Sequence, residues 1–351
     1  MFQHMLVCKY VLFLQALGCA DESCTQDPPT GLQEGPKRIA IQETAAIHAA
    51  LAADGAVILT GISGVSVADG TWEAKAAALP SLTFPGRLVS KIPKVQGIHL
   101  EHAHLRQNLT SSPFDLVGKP LLPHTDGYIY GEFLPDYIAF VVESQSDSGG
   151  QNYVVDGKRV LRRLCDGDRD DSDESETCAM AAMAQTLAVD QTERSPPGFV
   201  NGQEFRGPLV QRQRHAMHRL RFHRQTSVLA CKDAADTVDE NGRLGTDLRP
   251  YQSLWALSEP EGHQAHKVQD MLKTVDAAVQ QEAAQAYRFT VHEGEALLID
   301  NYRMLHGREG YKGRTERKLW RVWFWTNESS GIPRGMPELG SVLDADELNQ
   351  I

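Results

Sequence analysis

Apolar positions along this chain change period several times, and each change marks an element. Ile47 and Leu51 lie four apart and Gly55 follows as a stop signal, so the spacing predicts a helix that ends there. The run AVILT, Ala56 to Thr60, then reads as a short buried strand. A second, alanine-rich helix is expected over 70–79, and 84–108, with Pro, Gly and several His, as mixed loop and strand. From Leu121 the pattern turns to β structure: HTDGYIYGEF, an apolar strand over 137–143, the turn SDSGG, and the strand in QNYVVDG. Lys158 to Leu164 reads as a short amphipathic helix. Val268, Met271, Leu272, Val275 and Val279 share one face of a longer helix over 260–287, with a capping-box pattern at Ser258 and Glu261 around Pro260. Gly294 closes the next extended stretch, and ALLIDNYRMLHG and KLWRVWFWT read as two further apolar strands around a loop. Strands at both ends of the core, with helices before and between, predict an α+β fold built on an antiparallel sheet or barrel.

Composition adds boundaries more than chemistry. At 351 residues, with 41% hydrophobic and 23% charged positions, the chain can bury a substantial core. We take residues 38–351 as a single domain and 1–37 as a flexible leader, rich in Pro and Gly over 21–37. Within the leader, Lys9, the apolar run from Tyr10 to Leu17 and the small residues Gly18, Cys19 and Ala20 make a weak signal-like segment, too short to span a bilayer. A cytoplasmic or organellar location is favoured. Seven of the eleven residues over 166–176 are acidic, which marks a solvated insertion. The six cysteines include no Cys-x-x-Cys and do not read as a disulfide framework, although Cys165 and Cys178 flank the acidic run and can pair. The formal charge of −11 argues against nucleic acid as a partner and leaves a small molecule as the expected one.

The chemistry lies in two short motifs. His124 and Asp126, in PLLPHTDGYIY, are two positions apart, and on an extended strand such residues point the same way. His306, in LLIDNYRMLHGR, supplies a second imidazole. Two histidines and one carboxylate on one face leave the opposite positions open, which is how non-haem Fe(II) oxygenases hold their metal. Basic side chains follow at Arg308, Lys312, Arg314, Arg317, Lys318 and Arg321. Residues 317, 319 and 321 share one strand face, so Arg317 and Arg321 point inward together, where a guanidinium fork grips a carboxylate.

HTD, then GG-x-x-x-x-V-D-G, then D-N-x-R-x-L-H-G-R and a later arginine strand resemble the 2-oxoglutarate-dependent dioxygenases of the taurine dioxygenase and clavaminate synthase-like group. The resemblance covers about residues 38–326. It implies a double-stranded β-helix (jelly-roll) core, Fe(II) on His124, Asp126 and His306, and 2-oxoglutarate on the iron with its far carboxylate paired to an arginine. O2 would be the co-oxidant, succinate and CO2 the by-products, and hydroxylation of an unactivated C–H bond the outcome, with desaturation or oxidative cyclisation as alternatives. Arg317, eleven residues after His306, matches the taurine dioxygenase spacing for the anchor. Arg321 matches a position facing the substrate's anionic group, yet other members place the anchor about three residues later, so both arginines remain open. Where members carry a threonine two residues after the glycine pair, this chain has Asn152, whose amide can also donate. Arg321, with Arg219 or Arg221, suggests a small anionic or amino-acid-like substrate.

Competing readings rest on specific residues. His99 and Glu101, with His102 and His104, form another His-x-carboxylate pair but lack the apolar strand context, and read as loop residues near a pocket mouth. His215, His218 and His223 alternate with arginines in a solvated strand or lid; lid segments are expected within 85–110 and 185–230. Tyr128 and Tyr130 line the substrate side or pack, and Trp320, Trp323 and Trp325 read as core. A non-catalytic jelly-roll has no need of the complete set, and a zinc hydrolase on the same ligands leaves the paired arginines unexplained.

Overall fold

The computed structural model describes residues 35–89, 98–104, 120–126, 134–165, 179–186, 188–190, 206–208, 210–212, 220–222, 263–312, 317–329, 331–333 and 342–344. Residues 1–34, the acidic run 166–176, the capping-box pair Ser258 and Glu261, Tyr128, Tyr130 and the histidines at 215, 218 and 223 lie outside them.

Two sheets carry the fold. The larger is six-stranded. It is built from β1 (Arg38–Ala40), β2 (Ala56–Thr60), β3 (Ile98–His104), β5 (Tyr137–Ser144), β7 (Ala296–Asp300) and β9 (Lys318–Phe324), in the order β1-β2-β7-β5-β9-β3. The smaller has three strands, β4 (Leu121–His124), β8 (Met304–Arg308) and β6 (Asn152–Asp156), in the order β4-β8-β6. Every pairing in them is antiparallel except β1 with β2.

The period of two explains why several strands are apolar throughout. On β2, Val57 and Leu59 pack with Ile47 and Leu51 of α1 (Thr44–Asp54) and with Ala76 and Leu79 of α2 (Trp72–Thr83). Ala56 and Ile58 of the same strand pack the other way, with Val154 of β6 and Met304 of β8. A strand covered on both faces needs no polar alternation. The smaller sheet is covered behind as well: Tyr153, Val155 and Leu305 join Val160, Leu161 and Leu164 of α3 (Gly157–Leu164), Ala181 and Ala184 of α4 (Ala179–Thr186), and Met271, Val275 and Val279 of α5 (His263–Gln285). The layers therefore run helices, sheet, sheet, helices.

The α+β expectation holds, with α1 closed by Gly55 in the left-handed conformation. Three details differ from the expected pattern. The second helix begins at Trp72, capped by the Thr71 side chain, and runs on through Pro80 to Thr83. ALLIDNYRMLHG is two strands, because the chain turns at Asn301–Arg303 and passes from one sheet to the other. Apolar residues flank that turn so closely that hydrophobicity alone merges the pair. Residues 98–104, within the stretch expected as mixed loop and strand, form the edge strand β3 paired along β9 from Phe324 to Lys318, so the histidines read as loop residues stand on a strand. Cys165, buried at the end of α3, is disulfide-bonded, and its partner lies outside the described residues. No helix among the described residues is long and apolar enough to cross a membrane.

Candidate metal centre

The inner faces of the two sheets are apolar except at one end, where a cavity of about 190 Å³ opens between them. Phe140, Val142, Leu297 and Leu319 of the larger sheet wall it on one side; His124, Asn152, His306 and Arg308 of the smaller wall the other. Asp126, Arg317 and Arg321 complete its polar lining.

Strand pairing brings the two histidines together. His306 on β8 lies directly opposite His124 on β4, so both imidazoles stand on the same face, with ring centroids 4.3 Å apart. Such close approach depends on Gly307, since a side chain there would collide with the Tyr153 ring and the Leu121 carbonyl. Asp126 arrives by a different route from the expected one. The strand ends at His124, and strand alternation does not place the carboxylate. Instead the Asn301 amide, fully buried in the β7–β8 turn, holds the Asp126 backbone at both ends. Its Nδ2 donates to the Asp126 carbonyl at 3.0 Å and to that of Pro135 at 2.9 Å, and its Oδ1 accepts from the Asp126 N–H at 3.2 Å. One ligand atom each from His124, Asp126 and His306 then lies within 4.8 Å of the others.

Each group presents the atom a metal needs. Nδ1 of His124 lies 2.8 Å from the Leu122 carbonyl, which fixes the proton on Nδ1 and turns the Nε2 lone pair inward. On Asp126 the two oxygens divide the work: Oδ2 accepts from the Trp323 indole at 2.9 Å and from Arg321 at 3.2 Å, while Oδ1 faces the His124 Nε2 at 3.3 Å and the His306 Nε2 at 3.8 Å. Burial raises the Asp126 pKa, but the neighbouring positive charge, above all the Arg321 guanidinium, outweighs it and holds the carboxyl well below the usual carboxylate range. Burial pushes the His306 imidazole down to about 3, so it is neutral and able to ligate at ordinary pH. A deprotonated carboxylate with two imidazoles is the donor set of a 2-His-1-carboxylate Fe(II) site.

The arginines separate in role. Arg321 is engaged by Asp126 and lies over the Trp323 ring at 4.3 Å. Arg317, only 3% exposed, donates from Nε to Gln145 at 2.8 Å and has no carboxylate in ion-pair distance among the described residues. Burial, with Arg308 nearby, lowers its pKa to about 10, which still leaves it charged at neutral pH. Asn152 lines the cavity, paired in register with Arg308. Of His99, Glu101, His102 and His104, the structure fixes only the backbone, as a strand.

Residues 33–323 match the model of the taurine catabolism dioxygenase TauD, TfdA family. The chain belongs to that family. As a TauD-family member it is an iron- and 2-oxoglutarate-dependent dioxygenase, and the donor set above suits that metal. No curated protein matches the chain significantly. Among solved structures, an asparagine oxygenase with Fe(II), 3-hydroxyasparagine and succinate is 16% identical at a TM-score of 0.49, over 81% of this chain and 78% of that one. PvcB from Pseudomonas aeruginosa is 13% identical at a TM-score of 0.49, over 89% and 97%. A taurine dioxygenase from Burkholderia xenovorans is 13% identical at a TM-score of 0.47, over 91% and 96%.

Three residues escaped the sequence reading. Asn301 looks like an ordinary turn asparagine, Trp323 like core, and Arg308 like one of a run of basic side chains. If the Asn301 clamp positions Asp126, Asn301→Ala lowers Fe(II) affinity by about tenfold or more, as loss of a supporting shell does. Titration of the metal-stripped protein checks this; unchanged affinity would show that the clamp is dispensable.

Proposed function

We propose that this TauD-family dioxygenase hydroxylates an unactivated C–H bond of a small anionic or amino-acid-like metabolite. His124, Asp126 and His306 hold the iron in this reading, and Arg317 receives the far carboxylate of 2-oxoglutarate, with Asn152 as a further donor. The observation that carries it is a buried arginine, without an ion pair among the described residues, in the same cavity as a His-Asp-His set. A buried guanidinium costs several kcal/mol of lost hydration unless an anion meets it, and a carboxylate fits its fork. The two sheets facing each other across the cavity are read as the halves of a double-stranded β-helix, and residues 38–351 as one catalytic domain.

Bound Fe(II) with 2-oxoglutarate and O2 supplies the oxidising power, releasing succinate and CO2. The chain's own contribution is positional. Leu122 sets the His124 tautomer, Arg321 and Trp323 orient Asp126, and Phe140, Val142, Leu297 and Leu319 line the chamber with apolar groups that disfavour water. Arg321 supports an anionic substrate, since it stands beside the metal ligands with its guanidinium at the cavity wall.

The test is an oxygen-free titration of Fe(II) and 2-oxoglutarate into metal-stripped protein. A weak visible charge-transfer band requiring both components is expected, followed by a screen of small amino acids, betaines and sulfonates for succinate release. Folded, iron-loaded protein that gives no band would remove the cosubstrate assignment and promote the zinc or non-catalytic readings.

A further inference from the structure

Arg308 stands two positions beyond His306 on β8, where the strand period returns it to the cavity side. It is only 4% exposed, as deeply set as Arg317 at 3%. Both guanidiniums gather on the ring of Tyr311, Arg308 at 4.5 Å and Arg317 at 5.8 Å from its centroid. Tyr311 is itself buried, and its short strand pairs with Gly149, in the glycine pair just before Asn152. Val142, Val291, Leu297 and Leu319 line the same cavity.

Two guanidiniums beside one aromatic ring at the wall of one apolar chamber concentrate positive charge there, and an anion entering the chamber is drawn to both. A carboxylate offers two oxygens and about four lone-pair sites, enough to accept from two forks at once. The aromatic face fixes where each fork lies before any ligand arrives.

We propose that Arg308 and Arg317, backed by the Tyr311 ring, are the two arms of one anion clamp that reads the far carboxylate of a five-carbon dicarboxylate. This deepens the assignment of Arg317 to 2-oxoglutarate and rests on it. The clamp makes Arg308 a cosubstrate-binding residue rather than a structural neighbour of His306. It recognises the tail of the acid and is indifferent to the keto group, so glutarate, which cannot chelate through a keto acid, is held by the same two arms.

The experiment uses the full chain loaded with Fe(II) without oxygen, titrated with 2-oxoglutarate and, separately, with glutarate. Arg308→Gln weakens both ligands by about tenfold or more, the loss of a charge-assisted contact, and leaves iron affinity within about twofold. Arg308→Lys, which keeps the charge without the fork, falls between the two; it decides the matter if the glutamine variant does not fold. Tyr311→Phe keeps the ring and stays near wild type. Wild-type affinity in Arg308→Gln, or loss of iron and cosubstrate together, would overturn the clamp. If the wild-type protein itself binds no 2-oxoglutarate, the cosubstrate reading falls first, and the two failures are distinct.

Discussion

Asp126→Ala yields a folded protein that retains no iron and turns over at least about a thousandfold more slowly. The magnitude follows from the metal's contribution of several kcal/mol to the reaction, at about 1.4 kcal/mol per factor of ten. The side chain is 3% exposed and serves both directions at once. Its Oδ1 faces the two imidazoles, and its Oδ2 satisfies Arg321 and Trp323. Asp126→Asn separates these duties, because it keeps the volume and an acceptor for the indole but loses the anion. Metal content after dialysis and the melting temperature together check the expectation. Both variants should be iron-free, with the alanine variant the less stable because it leaves Arg321 and Trp323 without their shared acceptor. An alanine variant that retains iron at wild-type stoichiometry would place the metal on other residues.

Arg317→Met is the second large effect, and its sign differs between function and stability. Removing the fork takes away charge-assisted hydrogen bonds worth about 1.5–3 kcal/mol, so 2-oxoglutarate binds about 10- to 150-fold more weakly. In the ligand-free protein the same change relieves a buried cation lying close to Arg308. An apolar side chain of similar length is tolerated at such a site, often with a gain in stability. The ligand-free variant should therefore melt higher than wild type, and the difference should shrink or invert at saturating 2-oxoglutarate. A variant that melts lower in both conditions, with cosubstrate affinity intact, would make Arg317 a structural residue held by Gln145.

Local pattern carried a good part of this molecule. The helices at Ile47 and Met271 and the strands at Val57 and Ile138 follow from spacing, because burial on one or two faces writes itself directly into the chain. His124, Asp126 and His306 were legible from residue type, as was the pairing of Arg317 with Arg321 on one strand face. What the chain did not disclose depends on partners far away in sequence. Asp126 seemed to need only strand alternation, whereas it is held by a turn residue 175 positions on. Trp323 has the composition of core, and its indole N–H becomes informative only once β9 is placed beside the metal loop. Arg308 sat in a basic run where nothing local distinguishes a buried guanidinium from a solvated one. The break at Asn301 was hidden by the apolar residues around it.

The inner face of β9 and the residue just before it present Arg317, Leu319, Arg321 and Trp323 in alternation: a buried cation at the cavity, a wall, a brace on Asp126 and a second brace. The strand lies between β5 and β3, with neighbours on both sides to hold its register. Substitution can tune any one of these positions while the rest stay in place. A deletion or insertion of one residue within the strand has no such latitude, since slippage by one turns the whole set toward the helices. Spelling in this segment is open to change, but its length is not, and diversification of the enzyme must come from elsewhere in the chain.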